Sequence, residues 1–222
     1  MDAFYIYLII VLSFIFLKIK KINIAFRSIN TLFHELSHAL IAVVLRCEVK
    51  QIRLNNNASG TCATESRSRF ANFFILLAGY SSCAVIPYIL FCAIVKGFSF
   101  FALCVIILLS LIALFFWIKN KFGRIWTSLF ILINFAFILV PHLNDWRPYL
   151  IVLYAVLIGL DNFFSCLTLV KLTFKNPKLA GDSTLLKKTT KIPAIVWSIA
   201  FLTLSAWLLY KTYMAFIPPL FG

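Results

Sequence analysis

Acidic residues and histidines are scarce in this chain of 222 residues. It has seven Asp and Glu residues and three His residues against 21 Lys and Arg, and only 13% of its residues are charged. Hydrophobic residues make up 63%, and the mean hydropathy is +0.99. Soluble domains carry about 25% charged residues. The composition therefore excludes a soluble domain and indicates a polytopic membrane protein. Three histidines are also too few for a di-iron desaturase or hydroxylase.

Other sequence features that are missing exclude a cleaved signal peptide, a nucleic-acid partner and a cysteine-based site. Only Asp2 precedes the first apolar run, and no small-residue cleavage site follows it, so we expect an uncleaved helix rather than a signal peptide. No nucleic-acid motif accompanies the net charge of +14. We therefore expect no nucleic-acid partner and assign the charge to topology and to the head groups of the lipid bilayer. Neither a disulfide framework nor a thiolate metal site is predicted, because no CxxC spacing joins Cys47, Cys62, Cys83, Cys92, Cys104 and Cys166.

Apolar runs recur along the whole chain, and most are long enough to cross the roughly 30 Å hydrocarbon core of a bilayer. The first two are short for that purpose. They predict an all-α polytopic membrane protein with about six to seven membrane helices. In chain order the runs are Ala3–Leu17, Ile29–Leu45, Phe70–Val95, Phe98–Ile118, Ile125–Val140, Tyr149–Val170 and Ile192–Phe216.

Two of the three histidines belong to an HExxH motif, His34-Glu35-Leu36-Ser37-His38, inside the second apolar run. Residues four apart lie on one face of a helix, so His34 and His38 can present imidazole nitrogens to a single Zn²⁺. Glu35 lies one step round the helix, where it can accept a proton from a zinc-bound water. Ionisable groups at membrane depth are costly and usually functional, which favours a zinc site over chance.

A catalytic zinc needs a third protein ligand and one open position. Asp161 is the first candidate, because it lies inside an apolar run and a carboxylate at that depth requires a partner. The alternative interpretation of Asp161 is a packing residue bonded to Asn134. Asp182 is the alternative third ligand. It lies in a loop before the last helix, where an acidic residue often caps a short helix.

A polar segment, Cys47–Arg69, follows the motif. Val49-Lys50-Gln51-Ile52-Arg53-Leu54 alternates apolar and polar residues, and turn formers follow at Asn55-Asn56-Asn57 and Ser59-Gly60. The pattern predicts a short β-hairpin beside the site. Its edge strand could pair with an extended substrate. A solvated connector is the alternative interpretation.

The basic residues distinguish two topologies. If every apolar run spans, the basic loops are divided between both sides of the membrane. If the HExxH helix is short and re-entrant, all but Lys96, Arg147 and Lys211 of the 21 basic residues share one side, which fits the positive-inside rule better. The zinc would then lie near the cytoplasmic face. His142 and Asp145 would lie on the far side, and we do not expect them to be ligands.

We expect one integral membrane domain over residues 1–222. Its parts are a first helix and basic linker (1–28), the HExxH helix and polar insertion (29–69), central membrane helices (70–171), and a basic loop with the C-terminal helix (172–222). No PDZ-like domain is present, so we expect the membrane core itself to select substrates.

These features resemble the site-2 type membrane zinc metalloproteases of peptidase family M50. The resemblance is strongest to the M50B-like branch. It implies that His34 and His38 bind zinc and that Glu35 is the general base. The similar segments are His34–Leu40, Gln51–Leu54, Leu77–Tyr80, Gly181–Ser183 and Ile192–Trp197.

The third ligand is less directly implied by this resemblance. The Leu-Asp-Gly motif of site-2 proteases resembles Leu160-Asp161-Asn162, with Asn162 in place of the glycine, while Asp182 matches an acidic position of the M50B-like branch. The resemblance implies an intramembrane metalloendopeptidase with a Zn²⁺ cofactor, acting on membrane-associated proteins or peptides in the bacterial cytoplasmic membrane. The alternative is an inactive or metal-stabilised membrane scaffold or carrier.

Overall fold

The protein is described here by a computed structural model that covers residues 1–20, 22–66 and 68–217. These residues form a largely helical structure with one small antiparallel sheet, which confirms the predicted fold class. The strands are β1 Glu48–Leu54 and β2 Gly60–Glu65. The helices are α1 Ala3–Lys18, α2 Asn23–Val44, α3 Arg69–Val95, α4 Ser99–Ile112, α5 Lys121–Leu139, α6 Arg147–Lys175, α7 Gly181–Thr190 and α8 Ala194–Phe216.

Five helices are long and apolar enough to cross a membrane: α3, α4, α5, α6 and α8. A π-helical turn, Ala113–Trp117, extends α4. Helices α1 and α2 together make a sixth candidate span, which is bent by 101° between them. The bend agrees with a broken or re-entrant path for the HExxH segment.

Helix α2, which carries the HExxH motif, is longer than the sequence predicted. It begins at Asn23 instead of Ile29 and has 22 residues. Its first turns are polar, so hydropathy alone missed them. They are helical because polar groups there find partners inside the protein: Arg27 pairs with Asp161, and the Ser28 hydroxyl donates to the Ile24 carbonyl. The apolar face of α2 packs into the core through fully buried leucines.

Helix α1 begins at the end of the molecule where α5 passes into α6. The Asp2 backbone N–H donates to the Tyr149 hydroxyl at 3.0 Å. The Tyr5 ring packs edge-on against Trp146 and Tyr149, at centroid distances of 5.8 and 5.5 Å. Residues 2–5 and 146–149 therefore lie together at one end.

The β-hairpin lies at the other end, and its first strand is covered. Strand β1 pairs with β2 from Glu48 opposite Glu65 to Leu54 opposite Gly60. On its outer side, β1 bridges Ile118, and the Asn120 side chain bonds both the N–H and the carbonyl of Leu54. The segment between α4 and α5 thus fixes β1. The predicted hairpin is confirmed over the solvated connector.

Candidate metal centre

Three side chains from two distant helices converge in the structure. The Asp182 Oδ2 atom of α7 lies 3.3 Å from His34 Nε2 and 3.4 Å from His38 Nε2 on α2. The two Nε2 atoms are 3.2 Å apart. All three potential ligand atoms lie within 4.8 Å of one another. Two imidazole nitrogens and one carboxylate oxygen, arranged so closely, fit a divalent metal ion such as zinc with a fourth position left open.

The two imidazoles are oriented by helix α3. His38 Nδ1 lies 2.5 Å from the Ile75 carbonyl oxygen. A carbonyl can only accept, so Nδ1 carries the proton and the lone pair of Nε2 faces Asp182 and His34. His34 packs edge-on against Tyr80, with ring centroids 4.6 Å apart. Such contacts around metal-binding histidines fix the ring orientation and raise metal affinity.

Gly79 allows α3 to approach the histidines. A Cβ atom at this position would lie 2.5 Å from His34 Cε1 and 2.6 Å from His38 Nε2. No side chain fits there without moving both imidazoles. In the sequence, Gly79 appeared only within a segment of family resemblance. Its contact with the histidines depends on how α2 and α3 pack, which no local pattern reveals.

Asp182 lies in the first turn of a short helix and not in the loop that the sequence predicted. Burial by itself would raise the pKa of this carboxyl group. When the imidazoles are protonated on Nε2 as well, the positive charge of His38 and the hydrogen bonds from His34 and His38 outweigh that effect and lower the pKa of Asp182; with a metal ion bound, the cation would take the place of those protons. The carboxylate is therefore ionised, as a metal ligand must be.

Asp161 does not belong to this group of ligands. Its Oδ1 accepts a hydrogen bond from Arg27 Nε at 2.7 Å, and its Oδ2 accepts one from Asn30 Nδ2 at 2.9 Å. The proposed packing partner Asn134 donates instead to the Phe130 carbonyl. Both carboxylate oxygens are engaged, so the structure favours Asp182, the alternative, over Asp161 as the third ligand.

Glu35 is held between helix α2 and the hairpin. The Glu35 residue is 6% exposed, and its carboxylate accepts a hydrogen bond from the backbone of Cys62 in β2. A Cβ at Gly60 would lie 2.6 Å from Glu35 Oε1, so the strand approaches closely. The Thr31 hydroxyl donates to the Ala58 carbonyl at 2.8 Å and ties the hairpin turn to α2. The hairpin thus fixes the position of the carboxylate next to the histidines.

One protein family has a model that matches this chain from residue 6 to residue 212, and its description is Peptidase M50B-like. The chain belongs to the Peptidase M50B-like family. The match extends from α1 into α8 and includes every residue of the group described above. No curated protein and no solved structure matches the chain significantly.

In this M50B-like protein the histidines, Asp182 and Glu35 line a single cavity of about 680 Å³. Its walls come from α2, β2, α3, α6 and α7, and Arg27 and Asp161 also line it. His142 and Asp145 lie in the turn Pro141–Trp146, beside the start of α6, and are not part of the ligand group. The cavity is large enough to receive several residues of a peptide chain.

Proposed function

We propose that this M50B-like protein is a membrane-embedded zinc metalloprotease that hydrolyses peptide bonds of membrane-associated proteins or peptides. The observation that carries the proposal is the convergence of His34, His38 and Asp182, with Glu35 beside them, in one cavity. These residues are the set that zinc-dependent peptide hydrolysis requires: three ligands and one base.

Each group at the site has a distinct role in peptide-bond hydrolysis. Bound zinc would polarise the scissile carbonyl and acidify water at the site. Glu35 follows His34 directly in the chain, and its carboxylate lies against Gly60 and Cys62 of β2. From there it accepts a proton from the attacking water and passes it to the leaving amine. His38, held by the Ile75 carbonyl, keeps its Nε2 lone pair for the metal.

Strand β2 is the element that supports binding of an extended substrate. Residues 60–64 line the cavity, and β2 pairs with β1 alone among the strands in the described ranges. A helical substrate hides its carbonyls in its own hydrogen bonds, so it must unwind before cleavage. An unwound segment gains hydrogen bonds by adding to a strand edge. The substrate therefore lies along β2, and the site opens near the cytoplasmic face.

The proposal is tested with the purified wild-type protein and Glu35→Gln, each loaded with zinc and incubated with unfolded casein in mild detergent. We expect the wild type to cleave casein and to lose this activity on chelation. Glu35→Gln should keep its zinc and lose about 10²-fold or more of the rate, because the base is removed and the ligands are not.

The opposite outcome has a definite meaning. A wild-type protein that holds zinc but cleaves neither casein nor any peptide of a randomised library would contradict the protease proposal. It would favour the alternative, a scaffold or carrier that keeps the metal for structure. Equal cleavage by wild type and Glu35→Gln would point to a contaminating protease.

A further inference from the structure

Helix α7 presents one face to the cavity, and this face carries more than the metal ligand. Asp182, Leu185, Lys188 and Thr189 all line the cavity. Their spacing of three, three and one places them along one side of a helix. The opposite side of α7 is packed, since Ser183 and Leu186 are completely buried. The cavity wall therefore runs from an acidic residue at the metal group to a lysine one and a half turns beyond it.

Lys188 lines this cavity without a direct ion-pair partner among the described residues. The acidic side chains that line the cavity have other partners: Asp161 pairs with Arg27, Asp182 with the two histidines, and Glu35 with the hairpin. Within the described ranges, no ion pair or hydrogen bond involves the Lys188 side chain. A lysine that lines a cavity without an ion-pair partner attracts an anionic side chain of a peptide that passes beside it.

The distance along α7 fixes where that anionic group would be. Lys188 lies six positions after Asp182, which is about 9 Å along a helix axis. An extended peptide advances about 3.3 Å per residue. For a peptide that runs alongside α7, a side chain that meets Lys188 while the scissile bond lies at the metal group is therefore about two or three residues from that bond.

We propose that Lys188 is a specificity-determining residue that selects substrates with an Asp or Glu two or three residues from the scissile bond. The inference rests on the proposed protease function and names the substrate chemistry of the same site. An ion pair at this partly exposed position gives a preference of about two- to fivefold over a neutral residue.

Lys187 provides a matched comparison on the same helix. It is exposed like Lys188 and has the same charge, but it does not line the cavity. If the lysines of α7 served only as general surface charge towards lipid head groups, reversing either one would have the same effect. If Lys188 pairs with an acidic side chain of the substrate, only reversal of the charge at Lys188 changes the preference for acidic residues.

The experiment maps cleavage sites in a randomised peptide library by mass spectrometry. The zinc-loaded wild type is compared with Lys188→Glu and Lys187→Glu, and the cut peptides are aligned on the broken bond. We expect Asp and Glu to be enriched about two- to fivefold at one position two or three residues from the cut in the wild type and in Lys187→Glu. In Lys188→Glu we expect Lys and Arg, instead of Asp and Glu, to be enriched at that position.

Binding gives a second readout that does not depend on turnover. In a Glu35→Gln background, a fluorescent peptide with one Asp should bind more tightly than its Asn counterpart. That difference should shrink at high salt and vanish with Lys188→Glu.

Other outcomes separate the inference from the proposed function. Cleavage by the wild type without an acidic preference, or an equal loss of preference in Lys187→Glu and Lys188→Glu, overturns the role of Lys188 and leaves the protease intact. No cleavage by the zinc-loaded wild type overturns the protease function and the inference with it.

Discussion

Asp161, which is buried, and Asp182, which is partly buried, are acidic residues that line the same cavity, but they have different partners. Among the described residues, the ion pairs of Asp182 are with the two imidazoles that could share a metal with it, at 3.3 and 3.4 Å. Asp161 is already neutralised by Arg27 and bonded by Asn30. A carboxylate that must leave an arginine to bind a metal gives up an ion pair and leaves the arginine without its partner, whereas Asp182 has no such pair to break. This difference predicts separate roles for the two residues.

We expect Asp182→Ala to lose its zinc and Asp161→Asn to retain about one zinc per chain, because only Asp182 completes the three-ligand set. Metal content of the purified variants, measured by atomic spectroscopy beside the wild type and His34→Ala, decides the matter. Zinc lost from Asp161→Asn and kept by Asp182→Ala would restore Asp161 as the third ligand.

The close approach of Gly79 to the two histidines leads to a prediction about zinc affinity. In Gly79→Ala the new methyl group meets the His34 and His38 rings at 2.5 to 2.6 Å, so both imidazoles must move. We expect zinc affinity to fall about 10- to 100-fold, as for other changes that misorient a ligand. Competition with a zinc-binding dye gives the affinity.

Gly159→Ala is the matched control for this change. Gly159 also lies in a membrane helix, but a Cβ there meets the end of the flexible Leu209 side chain, at 2.8 Å, and Pro87. Its zinc affinity should be close to that of the wild type. An equal loss of affinity in both variants would mean that general helix packing, and not the contact with the histidines, limits metal binding.

At the scale of elements, the Arg27 and Asp161 pair joins α2 to α6. Arg27 lies two turns before His34 on the same helix, so this pair also fixes the helix that carries the metal ligands. The Arg27 side chain is 37% exposed and Asp161 6% exposed. The pair is therefore unequal: without its partner, Arg27 can still reach water, whereas Asp161 cannot.

We expect Arg27→Met to lower the free energy of unfolding by about 1 to 3 kcal/mol, because it leaves a buried carboxylate without its charged partner. Asp161→Asn should cost less, and the double variant should be more stable than the sum of the two single changes predicts. Urea unfolding in mild detergent measures all three, with Lys175→Met, an exposed change at the end of α6, as the control. Strict additivity would contradict the pairing.

The hairpin and the Arg27–Asp161 ion pair show which structural features the sequence could predict and which it could not. The alternation of apolar and polar residues over 49–54, interrupted only at Lys50-Gln51, and the turn formers after it were local signals that predicted the hairpin correctly. The position of Asp161 inside an apolar run also correctly predicted that its carboxylate has a partner. Arg27 as that partner was not predictable, because it is far away in the sequence and was one of many basic residues near the first helix. Helix α7 was missed because it is ten residues long and Leu185 and Leu186 alone do not make a clear apolar face among its polar residues.

For the whole molecule, the structure gathers the basic segments at one end. The hairpin contacts the segment after α4, and Asp182, after α6, contacts α2. The N-terminus packs at the opposite end, against Trp146 and Tyr149. If α1 spans from that end, the basic residues after it arrive on the side of the hairpin. This arrangement matches the re-entrant topology, and so does the 101° bend between α1 and α2.

This geometry predicts the sidedness of the loops. Single cysteines are placed at Lys20, Asn56 and Asn144 in a cysteine-free background that still binds zinc, and an impermeant maleimide is applied to inverted and right-side-out vesicles. We expect positions 20 and 56 to react from the same side, the cytoplasmic one by the positive-inside rule, and position 144 from the other. If every apolar run crossed the membrane, α2 would separate 20 from 56, and these two cysteines would react from opposite sides. The second result would place the hairpin on the side of the N-terminus. The start of α6 would then lie on the opposite side from the N-terminus, which would contradict the contacts of Asp2 and Tyr5 with it. The comparison of positions 20 and 56 therefore tests the packing of α1 as well as the path of α2, the helix that carries two of the metal ligands.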